Sequence, residues 1–346
     1  MSKTLLEKII IQHIEANDRQ EVSFVWHGGE PLLAGIDFYR RACNLQKKHA
    51  NGKTIYNSLQ TNGLLINEEW CDFFNNNNYL LGISIDGPED IHNCYRTNKA
   101  GHPNFRKLLK NIELLNRKQV AYNTLSVVSK QSEGRGVETY NFLKSIGSRF
   151  MQFMPAYDII TNNSTETLAP WSVNPIKYGE FLNDIFDLWV TQDVGKYYVT
   201  LFDAILAGWC NIAPGTCIFS DNCGDSLTVE HNGDVYSCDH FVSGKYFLDN
   251  ISNKSLRDIY MSNKHFDFIL NKRYSLPREC LSCDYYKLCI GECPKHRFGF
   301  DSGKVVRDTK NALCEGLKLF FAHTKPAMLN MQQLLEAQRP PADIML

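Results

Sequence analysis

Cys280-Leu-Ser-Cys283, Cys289 and Cys293-Pro294 place four thiols within one short stretch, and Cys314 follows on the next helical segment. Upstream, Cys217, Cys223 and Cys238 form a looser set, so that eight thiols could supply two sites of four thiolates each. Zinc and iron–sulfur clusters both accept four thiolates, and spacing alone does not choose between them. Cys43, Cys71, Cys94 and Cys210 stand apart and read as small buried hydrophobes. His240 and His296 flank ligand candidates and read as hydrogen-bonding neighbours rather than ligands.

One detail favours iron. Cys289-x3-Cys293-Pro matches the end of the bacterial ferredoxin run, in which the last thiol ligates the other cluster, and such a swap would interlock the two sites. A second group of candidates lies where apolar segments end: Gly28-Gly29-Glu30-Pro31, Thr61-Asn62-Gly63 and Asp86-Gly87-Pro88. Each alone is ordinary turn chemistry. Three such loops in phase after strands are where an α/β barrel carries its active site.

The elements that must hold these loops alternate. Strand patterns at Val22–Trp26, Thr54–Gln60, Leu80–Ile85, Ala121–Val128 and Phe150–Phe153 are separated by amphipathic stretches at Ile36–His49, Glu68–Asn77, Phe105–Arg117 and Val137–Ile146. This βα succession predicts a closed or partly closed barrel of parallel strands. Ile159 to Pro170 reads as a loop, and Tyr178–Val190 as a linking helix. After Cys210 the texture changes to short strands around Ser226–Glu230 and Val235–Ser237, joined at Asn232-Gly233, and then to Cys-rich loops. The expected organisation is a barrel over residues 1–160, linking helices over 161–209, a Cys-rich domain over 210–320, and a C-terminal helix over 321–346 with a frayed Arg339-Pro-Pro tail.

Composition narrows the partners. The 346 residues carry 37 Lys+Arg against 38 Asp+Glu, a formal charge of -1, which offers no basic face for nucleic acid or anionic lipid. No apolar run approaches the ~18 residues of a membrane helix, and Glu7 and Lys8 interrupt the N-terminal apolar stretch that a secretory signal would need. The expectation is a cytoplasmic protein, in which clustered cysteines bind metal more often than they form disulfides.

Taken together, Trp26-His27-Gly28-Gly29-Glu30-Pro31, Gln60-Thr61-Asn62-Gly63, Gly82-Ile-Ser84-Ile-Asp86-Gly87-Pro88 and the eight-cysteine tail resemble anaerobic sulfatase-maturating enzymes. These are radical S-adenosylmethionine (SAM) enzymes with a SPASM-type C-terminal domain. The resemblance implies an α/β fold: a partial (β/α)6 radical SAM barrel, here without its first strand, followed by a small Cys-rich SPASM domain with two iron–sulfur sites. It implies SAM and two auxiliary [4Fe–4S] clusters as cofactors, a sulfatase polypeptide and a low-potential electron donor as partners, and oxidation of a Cys or Ser to Cα-formylglycine as the reaction. Cys217, Cys223, Cys238 and Cys293 would hold one cluster, and Cys280, Cys283, Cys289 and Cys314 the other. Asp239, next to Cys238, matches the family's catalytic aspartate and would take the proton that the substrate thiol or hydroxyl loses.

By the same resemblance, Gly28, Gly29 and Glu30 would hold the methionine ammonium of SAM, and Ser84 and Arg96 its carboxylate. His27 and Tyr157 fall at SAM-contacting positions but depart from the family pattern, where Gln and an aliphatic residue are usual. The family's Cys-x3-Cys-x2-Cys loop has no counterpart among these residues, and Cys289-x3-Cys293-x2-His296 only imitates it. The chain as written is therefore expected to make no radical from SAM. Two readings stand beside the maturase: a catalytically silent homologue acting as an iron–sulfur or zinc peptide-binding module, and a SPASM enzyme that matures a different peptide.

Overall fold

The computed structural model describes residues 1–224, 226–302 and 304–346. Helix α1 (Lys3–Ala16) leads into strands β1 (Glu21–Trp26), β2 (Thr54–Thr61), β3 (Tyr79–Ser84), β4 (Tyr122–Val128) and β5 (Phe150–Pro155), which alternate with helices α2 (Ile36–His49), α3 (Glu68–Asn76), α4 (Glu89–Tyr95), α5 (Phe105–Arg117) and α6 (Gly136–Ser145). All five strands run parallel in chain order, with Val22 opposite Ile55, Leu59 opposite Leu81 and Ile83 opposite Thr124. Strand alternation orients the sheet: Tyr79, Leu81 and Ile83 of β3 are buried while Leu80 between them is exposed. The helices cover it with apolar stripes at helical spacing, such as Phe105, Leu108, Ile112 and Leu115 of α5.

Two corrections to the expected elements follow β5. Ile159 to Pro170 is not a plain loop: β6 (Ile159–Asn162) and β7 (Thr165–Leu168) pair as a hairpin. Its two-residue turn, Asn163 and Ser164, has φ 47 and 65, the left-handed pair that a tight hairpin requires. The Asn- and Thr-rich composition hid the pairing. Helix α7 (Pro175–Gln192) is then followed by β8 (Tyr198–Val199), which extends the parallel sheet to six strands by pairing with β5. A two-residue strand leaves no periodicity to read; the stacked rings of Phe150 and Tyr198, 4.8 Å apart, mark its register.

Helix α8 (Thr200–Trp209) ends at Cys210, and the Cys-rich part begins with a small antiparallel sheet of β9 (Thr228–Val229), β10 (Asp234–Tyr236) and β11 (Phe247–Asn250). Short helices α9 (Leu256–Tyr260), α10 (Asn263–Tyr274), α11 (Arg278–Leu281) and α12 (Tyr286–Cys289), a hairpin of β12 (Phe298–Asp301) and β13 (Lys304–Arg307), and the long helix α13 (Cys314–Glu336) complete it. Both ends of the chain fasten this part to the barrel. Leu5 and Ile9 of α1 pack on the cluster of Val235, Ile251, Leu256 and Ile259, and the Gln12 side-chain oxygen accepts from Leu256 N at 2.8 Å. Helix α13 lies against α7 with Gly316 facing Gly179. The expected frayed tail is also corrected: Pro341–Met345 forms a short 3-10 turn whose Ala342, Ile344 and Met345 pack on the main core.

Candidate functional site at the strand ends and in the thiol domain

The first two strand-end loops are tied together by hydrogen bonds, and the ends of β2 and β3 by another. Glu30, at the end of the loop after β1, accepts from Thr61 Oγ1 at 2.6 Å, Asn62 N at 2.9 Å and Leu32 N at 3.1 Å. Gly28 and Gly29 before it have φ 91 and 57, and a Cβ at either would meet nothing within 4 Å, so the space over this loop is open and its backbone stands exposed. From β2, Gln60 Nε2 donates to Ser84 Oγ at 2.9 Å. That bond passes over Gly82, where a Cβ would lie 1.9 Å from the Gln60 oxygen. Glu30→Ala is expected to cost about 1–3 kcal/mol, since three donors lose a charged acceptor. Hydrogen exchange should then speed up at Leu32 and Asn62; unchanged protection there would contradict the tie.

Arg96 is not a free cation. Its Nε and Nη2 grip Asp86 at 2.5 and 2.9 Å, and Asp86, only 7% exposed, also accepts from Val127 N at 3.0 Å. These contacts leave Nη1 for a ligand. Behind the pair, buried His92 accepts from Asp86 N through Nδ1 at 3.4 Å and donates through Nε2 to Asn104 at 3.2 Å. Burial lowers the His92 pKa, against a smaller opposing pull from Asp86. The folded chain thus binds fewer protons here than the unfolded chain below about pH 6.5. Stability is present above that pH and lost as pH falls through it. His92→Asn is expected to flatten this part of the pH–stability curve; parallel curves for variant and native chain would contradict it.

His27 is exposed beside Gly28, and Tyr157 is half-buried, its ring 5.4 Å from that of Phe298 of β12. Asp158 joins Lys295 at 3.1 Å and Glu166 joins Arg307, so the β6–β7 hairpin is latched to the thiol domain.

In that domain the eight thiols fall into two neighbourhoods. Cys280, Cys283, Cys289 and Cys314 line one recess together with Tyr285, Tyr286 and Phe321. Cys217, Cys223, Cys238 and Cys293 act electrostatically on one another: Cys223 feels Cys217, and Cys293 feels both Cys238 and Cys223. Between Cys289 and Cys293 the chain makes a sharp reversal, with Ile290, Gly291 and Glu292 at φ 45, 72 and 49. A β-branched residue at positive φ is strained, and here the strain sends Cys289 to one neighbourhood and Cys293 to the other. The reversal is held by buried Glu292, whose carboxylate meets His296 at 3.1 Å and Asn311. Burial would raise its pKa, but these partners hold it below the usual carboxylate range.

Burial pushes the Cys238 and Cys289 thiols up to about 12, so both are protonated unless a metal claims them. Among the described residues, no three His, Cys, Asp or Glu side chains converge on a point as a single ion requires. Four thiols lining one recess fit a four-iron cluster, which takes one thiolate per iron. Asp239 is exposed in a short 3-10 turn, and its Oδ1 accepts from Cys238 Sγ at 3.4 Å. A cluster-bound thiolate could not make that bond and would leave the carboxylate free.

Four residues important to this arrangement carry no sequence signal: Glu292, Lys272, Arg297 and Asp193. Asp193 ties α6 to α7 by accepting from Tyr140 and Lys144 at 3.0 and 2.6 Å. Of the outlying cysteines, Cys43 and Cys71 are buried as expected, but Cys94 is exposed and Cys210 half-buried, which corrects their reading as core residues.

Comparison with known proteins places this geometry. The radical SAM superfamily profile matches residues 2–143, and the SPASM iron-sulfur cluster-binding domain matches residues 217–284. The serine-type anaerobic sulfatase-maturating enzyme of Bacteroides thetaiotaomicron is 42% identical, over 100% of this chain and 86% of that protein. This chain belongs to the anaerobic sulfatase-maturating enzyme family. The cysteine-type anaerobic sulfatase-maturating enzyme of Clostridium novyi is 35% identical over 93% of the chain and 85% of its own length. The solved structure of native anSMEcpe with bound AdoMet and Cp18Cys peptide superimposes with a TM-score of 0.87 at 30% identity, covering 97% of this chain and 92% of that one. The α/β radical SAM fold followed by a SPASM domain is therefore the architecture the sequence led us to expect. No helix among the described residues is long and apolar enough to cross a membrane.

Proposed function

We propose that this sulfatase-maturating family member oxidises a Ser or Cys side chain of a sulfatase polypeptide to Cα-formylglycine, in the cytoplasm, with SAM and two auxiliary [4Fe–4S] clusters. The observation that carries the proposal is Asp239, an exposed carboxylate one residue from a thiol of the Cys217, Cys223, Cys238 and Cys293 group. The relatives' printed activity and the peptide bound beside AdoMet in the related structure support the same reading.

When bound, SAM supplies a 5′-deoxyadenosyl radical for removing a Cβ hydrogen, and the auxiliary clusters supply an acceptor for the electron released. The chain's own residues do the rest. Gly28 and Gly29 open the backbone of the first loop toward the amino acid part of SAM, Glu30 fixes that loop against Thr61 and Asn62, and Arg96 is aimed by Asp86 with Nη1 free for a carboxylate. Asp239 takes the proton from the substrate hydroxyl or thiol, which makes loss of the remaining electron favourable. These residues contain no Cys-x3-Cys-x2-Cys loop, so the test uses the chain preceded by a segment that carries one. Under anaerobic reducing conditions with SAM and a sulfatase peptide it should form 5′-deoxyadenosine and a formylglycine-containing peptide. Absence of the nucleoside product would overturn the assignment.

A further inference from the structure

Two cations lie deep in the thiol domain with no acid to pair them. Lys272 is 1% exposed and Arg297 4%, and among the described residues no carboxylate is within ion-pair distance of either. Glu292, whose charge acts on both, is already engaged by His296 and Asn311. Apart from Arg297 Nη1 donating to Ser275 Oγ at 3.1 Å, their bonds go to backbone carbonyls. Lys272 Nζ donates to Cys217 O, to Ile218 O at 3.0 Å and to Ser220 O at 2.6 Å, closing the loop that presents Cys217. Arg297 donates to Gly291 O at 3.2 Å and Ile290 O at 3.4 Å, bracing the reversal between Cys289 and Cys293, and reaches Lys272 O at 2.6 Å. The pair thus forms one strut from the Cys217 loop to the Cys293 loop.

Carbonyl dipoles satisfy the donors but do not cancel two buried charges, which are costly to bury without counter-charge. The negative charge that faces them is that of Glu292, already shared with His296 and Asn311, and that of the thiols when ionised. Lys272 lies in the field of Cys217, Cys223 and Cys293, and Arg297 in that of Cys223 and Cys293 together with Cys280 of the other group. Four thiolates on a [4Fe–4S] core leave a net negative body, and reduction adds one more electron. Nearby positive charge favours the reduced form, because net charge and hydrogen bonding set cluster potentials.

We infer that Lys272 and Arg297 are a buried cation pair that balances the cluster held by Cys217, Cys223, Cys238 and Cys293 and raises its reduction potential, making it the acceptor for the substrate's electron. The inference rests on the proposed cluster chemistry. In the step concerned, the peptide radical left after hydrogen removal loses its hydroxyl or thiol proton to Asp239 and one electron to this cluster, which is reduced by one. Lys272 faces chiefly this cluster, whereas Arg297 stands at the seam and faces both.

The test is a redox titration followed by electron paramagnetic resonance on the anaerobically reconstituted chain, with iron and sulfide measured on each sample. Lys272→Gln and Arg297→Gln remove the charge but keep donors; Lys272→Arg and Arg297→Lys keep the charge. The neutral variants are expected to disfavour reduction at least tenfold, a fall of about 59 mV or more for one electron. Lys272→Gln should move one potential and Arg297→Gln both, while the charge-keeping variants stay near the native values. Loss of iron from the neutral variants alone would equally support a charge requirement. Unchanged potentials in both neutral variants, or equal changes in neutral and charge-keeping variants, would overturn the inference and leave the cluster reading standing. A native chain that takes up no iron and sulfide would overturn both.

Discussion

Asp239→Asn, made in a chain preceded by a Cys-x3-Cys-x2-Cys segment, is expected to lower formylglycine formation by about 10²-fold or more while 5′-deoxyadenosine still forms at close to the native rate. Asn matches Asp in volume and keeps an oxygen acceptor, so the turn after Cys238 should persist. What is lost is the ability to accept a proton. Hydrogen removal from the peptide does not need that proton transfer, so SAM consumption continues and uncouples from product. The carboxylate is exposed and, among the described residues, its one hydrogen bond is from Cys238 Sγ, so no buried network collapses with the substitution. Measuring nucleoside and modified peptide in the same reaction separates the outcomes. An equal fall in both would remove Asp239 from the proton-transfer role.

Gly316→Ala is expected to be among the most destabilising single substitutions in the chain. The added Cβ would stand 1.8 Å from Pro175 O, 2.8 Å from Pro175 C and 3.2 Å from Gly179 N, all backbone atoms of the facing helix and its start. None of these can swing aside as a side chain would, so α13 and α7 must separate. Overpacking of this kind costs about 1–3 kcal/mol and sometimes more. The consequence reaches the thiol domain, because Cys314 begins the same helix two residues earlier. Gly244→Ala is the control, since a Cβ there meets nothing within 4 Å. Denaturant unfolding should show a clear loss for Gly316→Ala and almost none for Gly244→Ala; equal midpoints would contradict the close crossing.

Much of this architecture is legible in the sequence. Five strands announced themselves because each is long enough to show alternation, and the first three end in Gly- or Asn-bearing loops, as at Trp26 to Pro31 and Thr61 to Gly63. Strand β8 did not, because two residues carry no period, and its place depends on Phe150 and the sheet edge it finds. The β6–β7 hairpin was hidden by polar residues that serve as strand and turn alike. In the site, Cys spacing and the strand-end motifs stood out by residue type. Lys272 and Arg297 did not, because nothing near them in sequence differs from a solvated helix or loop. Their burial is created by packing α10 and the Cys293 loop around the thiols. Arg96 was found as a cation, but its engagement by Asp86 needs the fold to bring the end of β3 against the helix that follows.

The central claim is that the two thiol neighbourhoods hold iron–sulfur clusters serving a peptide oxidation, and metal analysis tests it most directly. The chain, purified and reconstituted without oxygen, is assayed for iron, acid-labile sulfide and zinc per polypeptide. About eight irons and eight sulfides are expected, four of each per thiolate quartet. About two zincs with negligible sulfide would contradict the claim and make this a zinc-organised binding protein.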